Sequence, residues 1–170
     1  MNLQKKTVLP TNNLQSNLNK IGLRGVAHNF DDFIGCAAKE KWPPHMLLEK
    51  LLALESDDRS HRSLVRRLGL SGIKKFKPMA DSDWRWPKHI ERDVIERALT
   101  LDFINEARNL VLIGGNGLGK TMIAKNICHA AILAGYSVLF RSAAAVIEDL
   151  QCETASNRKR KLRNYANAGL

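Results

Sequence analysis

Long apolar runs are missing from this chain. Stretches such as NLVLI at 109–113 and YSVLF at 136–140 fall far short of the roughly 20 residues a membrane-crossing helix needs, so no membrane partner is expected. The opening stretch, MNLQKKTVLPTNN, holds two lysines and no apolar segment, so no secretory signal is expected. Cysteine is scarce. Cys36, Cys128 and Cys152 lie far apart, with no CxxC pair and no Cys/His spacing suited to a metal. An odd, scattered set reads as reduced thiols in a cytoplasmic protein. Cys128 sits among apolar residues and reads as a small core side chain. The five histidines have no metal-ligand or triad partner at useful spacing. Internal repeats and low-complexity tracts are absent too.

What is present is a soluble globular composition, 44% hydrophobic and 26% charged, in 170 residues. That length suits one ordinary domain or two small ones. Base exceeds acid, with 27 Lys and Arg against 17 Asp and Glu and a net charge of +10. An excess of this size points to a polyanionic partner, nucleic acid first. Most of it lies early: residues 1–90 carry 16 basic and 9 acidic side chains, residues 91–170 carry 11 and 8.

Apolar periodicity divides the chain. A helical reading begins near Leu14 or Leu18. From 23 to 41, Val26, Phe30, Phe33 and Ala37 recur three and four apart, as on one helix face. Pro43 and Pro44 end that run and can open the next helix. It carries Leu47, Leu48, Leu51, Leu52 and Leu54, continues to Leu64, Val65 and Leu68, and should stop at Gly69 or Gly72. Residues 74–88 read as a linker. A short helix over 88–99 and one or two further turns follow. Then the period changes. NLVLI and YSVLF read as buried parallel strands. Between them a helix over 120–134 presents Ile123, Ile127 and Ala131, with Gly135 as its C-cap. Ser142 is a candidate N-cap for a helix over 143–151, and the basic segment after it reads as helical. The layout predicts a helical, basic N-terminal domain over 1–73, a linker over 74–88, and a three-layer α/β domain over 89–170.

The sharpest motif lies between the two apolar runs. Gly114, Gly115, Asn116, Gly117, Leu118, Gly119, Lys120 and Thr121 fit G-x-x-x-x-G-K-[ST]. Glycines let the backbone curl so that successive N–H groups converge on phosphate oxygens. The following helix adds its positive end. Lys120 would reach the β- and γ-phosphates, and the Thr121 hydroxyl would bind Mg²⁺. A chance glycine turn would not need an apolar strand before it and an amphipathic helix after it. The motif does not choose between ATPase, GTPase and kinase.

Residues 59–77 hold seven bases and no acid: Arg59, Arg62, Arg66, Arg67, Lys74, Lys75 and Lys77. Arg59, Arg62 and Arg66 share a helix face. Contact with the phosphate backbone of DNA or RNA, with little sequence preference, is the favoured reading. A solvated face or a face docking on an acidic partner is the alternative. NRKRKLR at 157–163 divides evenly between the same two readings. Trp84 and Trp86, flanking Arg85, could stack a base; packing at a domain junction is favoured.

Taken together, the basic helical prefix, DWRWPKHI at 83–90, the stretch from LDFINEARNLVLIGGNGLGKT to VIEDL, and KLRNYANAGL resemble the IstB-like ATP-binding proteins. These are AAA+ helpers of bacterial insertion-sequence transposition, similar to the helicase loader DnaC. The resemblance covers the chain from about Leu18 onward. It implies a P-loop NTPase core of AAA+ type that binds ATP and Mg²⁺, a homo-oligomer on DNA, and a transposase or helicase as partner. It also implies an incomplete core. In the family, AGL would run into a strand ending in the acidic Walker B pair, and two later strands would separate NLVLI from YSVLF. Hydrolysis by these residues alone is therefore not expected, and the two runs should have unpaired edges. A small-molecule kinase fits the basic prefix poorly. A non-catalytic DNA-binding fragment working through residues 20–77 is the reading from a different class.

Overall fold

A computed structural model describes residues 11–81, 91–151 and 154–170. Trp84 and Trp86, the start of the helix expected from residue 88, and Cys152 lie outside the described residues. The chain forms two compact units, Met1–Ser63 and Leu64–Leu170, with the boundary inside one long helix.

The first unit holds α1 (Thr11–Lys20), α2 (Arg24–His28), α3 (Phe30–Lys39) and the start of α4 (Pro44–Ser71). α1 ends where Gly22 takes φ +88° and the Leu23 N–H returns to the Leu18 carbonyl at 2.8 Å, a left-handed cap. The single helix expected over 23–41 is two. Asn29 breaks it: its backbone N–H and its side-chain amide both donate to the Gly25 carbonyl, at 3.3 and 3.0 Å. A short polar side chain that can bond its own backbone offers the chain an exit from the helix. α2 has no side-chain cap of its own. Its first N–H groups are met from α4, where Glu55 Oε2 accepts from Gly25 at 2.9 Å and from Val26 at 3.4 Å. The close approach requires Gly25, because a Cβ there would lie 2.5 Å from the Asp58 Cβ. At the α3–α4 corner Trp42 packs edge-on to Phe33 at 5.6 Å and lies under the Lys50 ammonium at 4.4 Å.

The second unit begins with the end of α4. Ser71, fully buried, donates to the Leu68 carbonyl, and Gly72 turns the chain at φ +76°. After a 3₁₀ turn at Met79–Asp81 come α5 (Arg92–Leu99), α6 (Asp102–Asn105), α7 (Lys120–Leu133), α8 (Ala143–Leu150) and α9 (Ala155–Ala166). α7 is the centre of the core. Its Ile123, Ile127, Ala131 and Ile132 cluster with Ile95 and Ala98 of α5, with Leu101 and with Val138. Ser142 caps α8 as expected, accepting from the Ala145 N–H at 3.2 Å; the C-cap of α7 is Ala134, and Gly135 at φ +101° is the left-handed residue just after it. Asp149 joins α8 to α9, accepting from Lys161 at 2.7 Å and from the Tyr165 hydroxyl at 2.6 Å. The Lys161 bond, then the Tyr165 bond, hold its carboxyl below the usual carboxylate value.

One polar clip crosses the core edge. Asn126, nearly buried on α7, accepts from the Met79 N–H at 2.8 Å and donates to the Lys77 carbonyl at 3.0 Å and the Met122 carbonyl at 2.9 Å. Asn126→Ala removes the partner of two backbone groups in 77–79. It should cost roughly 1–3 kcal/mol. Amide exchange at Met79, faster in the variant than in the parent, is the check.

Among the described residues there is no β-strand. The three-layer α/β arrangement expected from NLVLI and YSVLF is not formed by them. A strand is defined by its neighbour, and these runs have little to pair with. Among the described residues the backbone of 136–140 makes isolated bonds only: the Tyr136 N–H to the Ala131 carbonyl, the Leu139 N–H to the Leu170 carbonyl, the Phe140 N–H to the Ser71 carbonyl, and Gly169 and Leu170 back to the Ser137 carbonyl, at 2.7–3.1 Å. In 109–113 Leu112 packs on the core while Val111 is 73% and Ile113 91% exposed.

Candidate phosphate-binding site

Of the eight residues read from the sequence, 114–119 turn ahead of α7 and Lys120 and Thr121 open the helix. Gly117 and Gly119 have φ +77° and +83°, values that residues with a Cβ rarely take. Gly119 is also the N-cap of α7 and makes no side-chain cap bond. The first N–H groups of the helix thus adjoin a glycine-rich loop, the arrangement that favours an anion. Gly115 is open as well: among the described residues the one atom within 4 Å of a Cβ there is the Leu118 Cδ1, at 3.7 Å.

Lys120 folds back over this turn. Its ammonium donates to the Gly114 carbonyl at 2.8 Å and to the Gly115 carbonyl at 2.6 Å. The charge is thereby held beside the loop backbone. Two of these features suit a polyphosphate: a helix N-terminus and one positioned ammonium. Thr121 is exposed at the first turn of α7. Among the described residues no three His, Cys, Asp or Glu are grouped to hold a metal ion. A cation here would depend on Thr121 and on the phosphates themselves, as suits Mg²⁺, which keeps several of its waters.

The seven basic residues of 59–77 are not alike. Arg59 and Arg62 are engaged within the first unit. Arg59 bonds Glu55 at 2.8 Å and the Gly22 carbonyl at 3.3 Å; Arg62 bonds Asp58 at 2.5 Å and Glu55 at 3.3 Å. Arg66 and Arg67 belong to the second unit, where the Arg67 Nε donates to the Ile132 carbonyl at 3.2 Å. Lys74, Lys75 and Lys77 are exposed. Arg66 and Arg67 share a cleft with Arg141, Asn164 and Asn167. No spacing rule could have found that set, since its members are brought together by packing alone. Among the described residues no helix is long and apolar enough to cross a membrane.

Known proteins match most of this chain. The profile of the family described as IstB-like ATP binding protein matches residues 16–170. A protein named as an ATP-binding protein of insertion sequence IS21 from Pseudomonas aeruginosa is 26% identical over 141 residues, covering 83% of this chain and 53% of its own length. One from Sinorhizobium fredii, also named as an insertion-sequence ATP-binding protein, is 27% identical over 145 residues, covering 85% and 59%. One named for insertion sequence IS5376 from Geobacillus stearothermophilus is 29% identical over 119 residues, covering 69% and 47%. The chain spans about half the length of these curated relatives. The match nevertheless takes in residues 114–121 and the helices on both sides of them, and the chain belongs to the family of IstB-like ATP binding proteins.

Proposed function

We propose that this chain binds ATP with Mg²⁺ at residues 114–121 and serves DNA transposition as a helper protein. The observation that carries the reading is the Lys120 ammonium, held against the Gly114 and Gly115 carbonyls at the start of α7. The relatives support it, being named as ATP-binding proteins of insertion sequences. In this reading Lys120 holds the β- and γ-phosphates, the loop N–H groups cradle them, and Thr121 supplies one ligand to Mg²⁺. DNA is met through basic side chains, among them Arg66, Arg67, Lys74, Lys75 and Lys77, without base reading. A transposase is the partner protein, and the protein assembles as a homo-oligomer. In this reading NLVLI and YSVLF would become strands of a three-layer sheet only when further strands pair with them, and the exposed Val111 and Ile113 are surface that such strands would cover.

A titration with a fluorescent ATP analogue in the presence of Mg²⁺ tests this. Saturable binding, displaced by ATP but not by adenosine, is expected, because the contacts are to phosphates. No saturable binding, or equal competition by adenosine, would overturn the reading.

A further inference from the structure

We propose that the cleft of the second unit lined by Arg66, Arg67, Arg141, Asn164 and Asn167 binds the phosphodiester backbone of nucleic acid. The inference rests on the DNA contact proposed above and gives that contact a place.

The cleft is open and holds about 500 Å³. Three arginines from two distant stretches meet there: Arg66 and Arg67 from α4, and Arg141 from the end of YSVLF. Among the described residues no Asp or Glu lines it. Asp149 is close enough to Arg141 for the two charges to interact, but its carboxylate oxygens are taken by Lys161 and Tyr165. The Arg141 guanidinium is steadied by backbone rather than by acid, donating to the Phe140 carbonyl at 3.0 Å and the Ser71 carbonyl at 3.5 Å. Neutral partners orient a guanidinium without cancelling its charge, and its planar fork matches a phosphate. Asn164 and Asn167 add amide donors of the kind that bond phosphate oxygens.

The positive charge continues beyond the cleft. Arg160 and Arg163 stand one helical turn before Asn164 and Asn167, on the same face of α9. A single small anion would use one point of such a surface. A polymer with phosphates repeated along its length would use all of it, and that favours a nucleic-acid backbone over free phosphate.

The full chain, a fluorescein-labelled oligonucleotide and a salt series provide the test. Arg66→Gln with Arg141→Gln should weaken binding at low salt at least ten-fold and reduce the slope of log affinity against log salt by about 2. A control of equal charge loss, Lys20→Gln with Lys39→Gln on exposed positions of the first unit, should weaken binding much less. Thermal melting and ATP-analogue binding verify that each variant is folded. Should the double variant melt early, Arg66→Gln alone, at an exposed side chain, should still reduce the slope by about 1. If the parent binds DNA and the cleft variants keep its affinity and slope, the cleft is not the site while the DNA reading stands. If the parent shows no DNA affinity at low salt, both fall. Pyrophosphate binding that depends on Arg66 and Arg141, with DNA binding unchanged by their loss, would replace the polymer with a free anion.

Discussion

Lys120→Ala should lower the affinity for ATP with Mg²⁺ by roughly a hundred-fold and leave thermal stability nearly unchanged. The two halves of that result have different causes. In the free chain the Lys120 ammonium bonds the Gly114 and Gly115 carbonyls in an exposed setting, so water can replace it there at little cost. Facing a triphosphate, water cannot. A charge-assisted bond to phosphate contributes about 3 kcal/mol at the upper end, and 1.4 kcal/mol is a factor of ten. Calorimetric titration beside a melting curve separates the two. Gly119→Ala should show the opposite balance. A methyl group at φ +83° strains the backbone where α7 begins, so stability and affinity should fall together. If Lys120→Ala bound the ATP analogue as tightly as the parent, residues 114–121 would not be the phosphate site.

The loop was legible because every requirement for it is local. Glycines at φ +77° and +83°, the lysine at the helix start and the apolar residues of α7 all follow from neighbours in the chain. Ser142 and Gly135 were legible for the same reason. The break at Asn29 was not. The apolar spacing of Val26, Phe30, Phe33 and Ala37 carries straight through it and masks the bond from the Asn29 amide to the Gly25 carbonyl, while the start of α2 is held by a carboxylate 30 residues away. The arginines show the same limit. Arg59, Arg62 and Arg66 look equivalent on a helical projection, yet two of them bond acids of the first unit and the third opens on a cleft of the second. The strands fail for a related reason. NLVLI and YSVLF have strand composition, but pairing is a property of two segments, and the described residues provide YSVLF with a few bonds to 169–170 and to Ser71.

Glu55→Ala should destabilise the first unit by about 3 kcal/mol. Glu55 is 4% exposed and its two oxygens accept from four donors: the Gly25 and Val26 N–H groups, Arg59 and Arg62. Alanine leaves the first N–H groups of α2 without a partner in a closed site. It also removes the anion from beside two guanidinium groups, although both arginines are well exposed and water screens that part of the loss. The same geometry sets the response to acid. Burial pushes the Glu55 carboxyl up, but the Arg59 hydrogen bond and the N–H groups of Val26 and Gly25 outweigh it, so its pKa in the folded chain lies below the ordinary 4.5. In the window between the two values the unfolded chain binds the extra proton, and stability rises with pH. The contribution is therefore complete above about pH 4.5 and lost as pH falls through the lower, folded value. Glu55→Gln keeps the shape and removes the titration. Its denaturation midpoint should vary less with pH below 4.5 than the parent's, while at neutral pH it should lie between parent and alanine variant. Amide exchange at Gly25 and Val26 locates the effect, since those two N–H groups lose their acceptor first. Unchanged protection there in Glu55→Ala would mean that α2 is held by its apolar contacts and that the buried carboxylate is incidental to it.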